Sequence, residues 1–175
     1  MDAKALKEIT SELCLLYVED NAILREETSK LFGHLFKQVH TAENGKIGLE
    51  LFIQGNYDLI ITDVNMPVMN GVELCRKARE INPDIAIIIT SAHDESRFLL
   101  ELIDIGINQF ILKPLNMAKF TSTLLDTCRN IINKKLVLKY KQELEENNIK
   151  LKQSNDKLEH LIKTLETKPQ VQNIL

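Results

Sequence analysis

The chain has 175 residues, with 22 Lys and Arg against 25 Asp and Glu, a net charge of -3, 44% apolar residues and no Trp. That length holds one domain of ordinary size with residues to spare, and the apolar fraction excludes a wholly disordered chain. The near-neutral charge gives no general drive toward nucleic acid, and three widely spaced cysteines (Cys14, Cys75 and Cys128) without a CxxC fit neither a disulfide framework nor a zinc site.

The opening residues, MDAKALKEITSEL, lack the apolar core and cleavage site of a secretory signal. No stretch reaches the ~18 apolar residues of a membrane span. The expectation is a cytoplasmic protein that binds no membrane and no nucleic acid directly. Leu13 to Val18 reads as a buried strand ending in Glu19-Asp20-Asn21, and Ile23, Leu24, Leu31 and Leu35 space a helix over 22–35. A short strand around Val39 precedes a helix over about 45–54, and Leu59-Ile60-Ile61-Thr62 is a third strand closed by Asp63. A loop with Pro67 and Gly71 leads to a helix over 72–81, stopped at Asn82-Pro83. The β-branched run Ile85 to Thr90 is a strand covered on both faces, a helix follows over about 94–104 to Gly106, and Gln109 to Leu112 is the fifth strand, ending at Lys113-Pro114. Repeated strand–helix units predict an α/β fold, a doubly wound (βα)5 parallel sheet with right-handed crossovers.

Composition changes near residue 130. Residues 1–132 carry a net charge of -6 and residues 133–175 a net charge of +3, and the last 43 residues hold no Gly, no Phe and a single Pro. From Asn116 to Pro169 the chain reads as an extended helix, about 75 Å long if unbroken. Val137, Leu144, Leu151, Leu158 and Leu165 recur every seven residues as a d column, with Lys141, Asn148, Asn155 and Ile162 at a. Asn at a is tolerated where it meets its own counterpart, which favours a parallel homodimer through residues 133–168; the alternative is a solvated single helix that packs on something absent from this chain. The basic run from Lys134 to Lys141 reads as a solvated helix face rather than a nucleic-acid patch. The predicted division is an N-terminal extension over 1–11, an α/β domain over 12–132, a coiled-coil helix over 133–168 continuous with the last domain helix, and a flexible tail over 169–175.

In such a sheet the C-terminal strand ends form the ligand crevice. That brings together Glu19 and Asp20 from strand one, Asp63 from strand three, a hydroxyl (Thr90 or Ser91) from strand four and Lys113 from strand five. Clustered carboxylates repel unless a cation offsets them, and all-oxygen donors suit a hard divalent ion such as Mg2+. His93, in the loop after strand four, reads as a surface residue.

Asp63-Val64-Asn65-Met66-Pro67 with Asn70-Gly71, the acidic pair 43–44 residues earlier and Lys113-Pro114 50 residues later resemble the receiver domain of two-component response regulators. Ser91-Ala92, 22 residues before Lys113, matches that family's hydroxyl-Ala pair, which selects Ser91 over Thr90, and Phe110 stands at its switch aromatic. Glu at the first acidic position and Ser at the hydroxyl are small departures.

The resemblance implies that Asp63 accepts a phosphoryl group from a histidine kinase or histidine phosphotransfer protein. It also implies that Asp20, Glu19, Asp63 and the Asn65 carbonyl bind Mg2+, and that Lys113 and Ser91 meet the phosphoryl oxygens. Phe110 would turn inward from a solvent-facing pose, and the Lys113-Pro114 bond would be cis. Gly71 serves either a positive φ or a close approach, and Met66 and Met69 pack. The domain would catalyse its own phosphorylation and dephosphorylation without independent turnover, and act through a separate target or an effector domain beyond residue 175. The rivals are a phosphorylation-inert docking module and a small metal-dependent phosphoester hydrolase.

Overall fold

The computed structural model describes residues 3–91, 99–107 and 109–166. The chain divides into two compact units, residues 1–132 and residues 133–175. The first holds a five-stranded parallel sheet of β1 (Cys14–Val18), β2 (Gln38–Ala42), β3 (Leu59–Asp63), β4 (Ala86–Ser91) and β5 (Gln109–Leu112), in the order β2-β1-β3-β4-β5. This is the (βα)5 doubly wound fold that the strand–helix rhythm predicts.

Alternation along the strands sorts apolar side chains onto two faces. On one face Leu16, Val18, Ile60, Ile87 and Ile89 meet helices α3 (Gly45–Gln54), α4 (Gly71–Ile81) and α5 (Leu99–Asp104) through Phe52, Leu74, Cys75 and Leu102. On the other face Leu15, Tyr17, Leu59, Ile61 and Ile88 meet α1 (Ala3–Thr10), α2 (Ala22–Gly33) and the start of α6 (Met117–Glu166). Phe32 is the hub of that second face, edge-on to Tyr17 and Phe36 and stacked on Phe120. With helices on both faces, every residue of β3 is buried, which explains its unbroken apolar run.

The helix starts follow local chemistry. Asn21, Asn44 and Asn70 each accept an N–H three residues on, from Leu24, Ile47 and Glu73, and so cap α2, α3 and α4. Gly106, at φ 81, follows α5 in the left-handed region that favours glycine. The early turns of the helix expected over 94–104, together with His93 and the tail over 169–175, lie outside the described residues.

α1 was not anticipated as a helix. It belongs to the first unit: Leu6 is buried, Ile9 packs on the core, and Thr10 Oγ1 lies 2.9 Å from the Leu6 carbonyl oxygen and 2.8 Å from that of Leu35. In the second unit residues 133–164 of α6 are exposed throughout. No helix among the described residues is long and apolar enough to cross a membrane.

Candidate functional site

The strand ends gather the acidic residues as the topology requires. β1 pairs with both β2 and β3, so the turn after Val18 and the end of β3 are neighbours. Carboxylate oxygens of Glu19, Asp20 and Asp63 all lie within 4.8 Å of one another, Glu19 and Asp63 buried and Asp20 exposed. Lys113, at the end of β5, donates from Nζ to Asp63 Oδ2 at 2.7 Å and reaches Glu19 Oε2 at 3.4 Å. The Val64 N–H donates to Asp63 Oδ1 at 2.8 Å, which fixes the carboxylate's rotamer and leaves Oδ2 toward the lysine.

The charges are unbalanced. Burial, above all, pushes the Glu19 carboxyl above its ordinary range; Lys113 pulls it down and the Asp63 charge pushes it further up. Burial works most strongly against the Lys113 ammonium, yet its hydrogen bond to Asp63 and the charges of Asp63 and Glu19 together hold its pKa above the usual value. One ammonium against three carboxylates leaves an all-oxygen cluster of excess negative charge, a donor set that fits a hard divalent cation.

Backbone packing sets the loop after β3. A Cβ on Gly71 would stand 2.0 Å from the Asp63 carbonyl oxygen, and the Gly71 N–H donates to the Val64 carbonyl at 2.8 Å. Close approach, not positive φ, is therefore what this position demands. Positive φ falls instead on exposed Val68, at 72°. Met66 is buried and Met69 packs on the core, as expected of packing residues. The Lys113-Pro114 bond is cis.

The two candidate hydroxyls face different surroundings. Thr90 Oγ1 donates to the Thr62 carbonyl at 3.4 Å, inside the sheet. Ser91 is buried, pairs in register with Leu112 and accepts the Lys113 N–H on its carbonyl oxygen at 2.8 Å. By strand alternation Ser91 follows Ile87 and Ile89 on the face where Phe110 packs. The Phe110 side chain is half-buried against that core rather than wholly solvent-facing. Asn65 is exposed and follows Asp63 by two residues.

Arg25 was missed from the sequence. Its Nη1 donates to the carbonyl oxygens of Glu19 at 2.6 Å and Asp20 at 3.2 Å, so it clasps the backbone of the acidic pair from α2. A basic residue one turn into the helix after an acidic turn was the available signal.

The family described as the response regulator receiver domain matches residues 15–125. The chain is 34% identical over 117 residues to Two-component response regulator 24 of Arabidopsis thaliana, a match covering 65% of this chain and 83% of that relative. It is 30% identical over 118 residues to a Thermotoga maritima protein named cyclic di-GMP phosphodiesterase, covering 67% of this chain and 32% of the relative. Among solved structures, a response regulator receiver domain protein from Clostridium thermocellum superposes with a TM-score of 0.61 at 25% identity, over 72% of this chain and 98% of that one.

Proposed function

The chain belongs to the response-regulator receiver family and carries its aspartyl phosphorylation site, and from that premise we propose that it is a switch that takes a phosphoryl group onto Asp63 from a histidine kinase or histidine phosphotransfer protein. The observation that carries this reading is the Asp63 carboxylate at the end of the central strand, beside Glu19 and Asp20, with the Lys113 ammonium 2.7 Å from Oδ2.

Asp63 is the nucleophile. An O–P bond forms at its carboxylate as the N–P bond of the donor's phosphoimidazole breaks, and the imidazole nitrogen leaves with the bonding pair. The leaving nitrogen needs no proton from this chain. Charge gathers on the peripheral phosphoryl oxygens, and Lys113 stands where its ammonium meets them. Glu19, Asp20, Asp63 and the Asn65 carbonyl would hold Mg2+, which when bound would supply further positive charge against those oxygens. Ser91 donates its hydroxyl to a phosphoryl oxygen, and Phe110, already half-buried on the same face, moves further in. An aromatic without a hydroxyl gives up no hydrogen bond in doing so. α5, β5 and the start of α6 then shift as a population between two states.

Residues 133–168 pair with a second copy in a parallel coiled coil and pass the state to a separate target or an effector domain. Support comes from the seven-residue column of Val137, Leu144, Leu151 and Leu158, all exposed in the single chain.

Intact-mass measurement after acetyl phosphate and Mg2+ tests the phosphoacceptor. A phosphoryl increment in the parent chain that disappears in Asp63→Asn is expected. No increment, or the same increment in both, overturns the reading, and many-cycle hydrolysis of p-nitrophenyl phosphate would place the chain among hydrolases instead.

A further inference from the structure

Val137, Leu144, Leu151 and Leu158 run as one exposed column along α6. A column that repeats every seven residues fixes one edge of a two-stranded seam but not which edge. Taken as d, its partner column at a is Lys141, Asn148, Asn155 and Ile162. Taken as a, its partner column at d is Tyr140, Asn147, Ser154 and Leu161. These two partner columns flank the leucines on opposite sides, and neither flank is covered: Ile162 is 53% exposed, Leu161 57% and Tyr140 60%.

The flanks are matched in chemistry at three of their four layers, Lys141 against Tyr140 being the exception. Each is polar at its centre, and each polar centre complements itself. A carboxamide or a hydroxyl both donates and accepts, so Asn148 and Asn155 in the first seam, or Asn147 and Ser154 in the second, bond to their own counterparts in a parallel, in-register pair. This self-complementarity favours a second copy of the chain as the occupant of the face.

Charge separates the two arrangements at a single layer, where the first seam sets Lys141 against its own counterpart and the second sets Tyr140. In the first seam the g positions Tyr140, Asn147, Ser154 and Leu161 are uncharged. In the second, Glu143, Lys150 and Lys157 at g lie across from Asn148, Asn155 and Ile162 of the other copy at e. Along the other layers of these columns neither parallel seam opposes like charges.

We propose that α6 pairs with a second copy through two nearly equal parallel seams that share the leucine column, exchanged by turning each helix about 50° on its axis. Polar centres keep both seams shallow, so a small bias at the receiver end selects between them. The proposal rests on the dimeric coiled coil of the preceding subsection and names its moving part.

Disulfide cross-linking of the 175-residue chain tests it. Asn148→Cys reports the first seam and Ser154→Cys the second; Gln153→Cys lies outside both, and the parent chain controls for the native cysteines. Under mild oxidant, N148C and S154C are expected to cross-link within about fivefold of one another and well above Q153C. Adding beryllofluoride with Mg2+ is expected to move their ratio. Filling the first seam with Asn148→Ile and Asn155→Ile should drop S154C to the level of Q153C. Should sedimentation show a monomer, the dimer itself falls and this proposal with it. Should the chain be a dimer in which either N148C or S154C links no better than Q153C, or in which the ratio ignores beryllofluoride, the two-seam exchange alone is overturned.

Discussion

At the scale of single residues, the site is governed by what its backbone and buried charges tolerate. A Cβ at position 71 would collide with a backbone oxygen, not with the tip of a flexible side chain, so the chain itself must move. Gly71→Ala is expected to lower stability by about 3 kcal/mol in urea titrations, and to slow phosphoryl uptake because the displaced carbonyl belongs to Asp63. Glu19 gives a pH prediction. A carboxyl whose pKa is raised by folding holds its proton more tightly in the folded chain, so its contribution is present in acid and is lost as pH rises through the folded value. In chelator, Glu19→Gln should therefore unfold at a higher denaturant midpoint than the parent at pH 7, with the two converging as the solution is acidified below the ordinary carboxylate range. A variant midpoint below the parent's at neutral pH would contradict the burial argument. Val68, β-branched, exposed and at φ 72°, should gain stability on replacement by glycine, of the order of 1 kcal/mol in the same titrations.

At the scale of elements, α1 is the instructive case. Eight residues cannot hold a helix by propensity alone, so its stability comes from Leu6 in the core and from Thr10 reaching the Leu35 carbonyl, 25 residues away. Leu6→Ala is expected to cost about 2 kcal/mol in a thermal or chemical melt; a cost near zero would mean that α1 is not docked. That long-range dependence also explains why the helix was illegible in the sequence. The bounds of α3 and β5 were legible, because Asn44 caps one and the Lys113-Pro114 step closes the other. Glu19, Asp20, Asp63 and Lys113 were legible because each ends a strand, and parallel pairing brings strand ends together. Whether Gly71 answered a torsion or a contact depends on neighbours that no local pattern encodes, whereas the clasp of Arg25 on the acidic pair lies within one local stretch of chain. The leucine column is a subtler case, since its period is plain while polar residues occupy the centre of both its flanks.

At the scale of the whole molecule, the two units should separate in experiment. A chain ending at residue 132 retains Phe120, Leu124, Leu125 and Cys128 of α6 in the core and so keeps its phosphoacceptor site. Sedimentation is expected to find that short chain monomeric and the 175-residue chain dimeric, with acetyl phosphate modifying both; a monomer at both lengths would remove the coiled coil. The burial of β3 reaches further. Its amides are expected to exchange with deuterium only when the entire sheet opens, so that Asp63 rides on the last part of the molecule to give way. With α6 as the relay proposed above, mild heat that frays it is expected to leave the acid in working order while silencing its output. Such a protein fails mute before it fails inert.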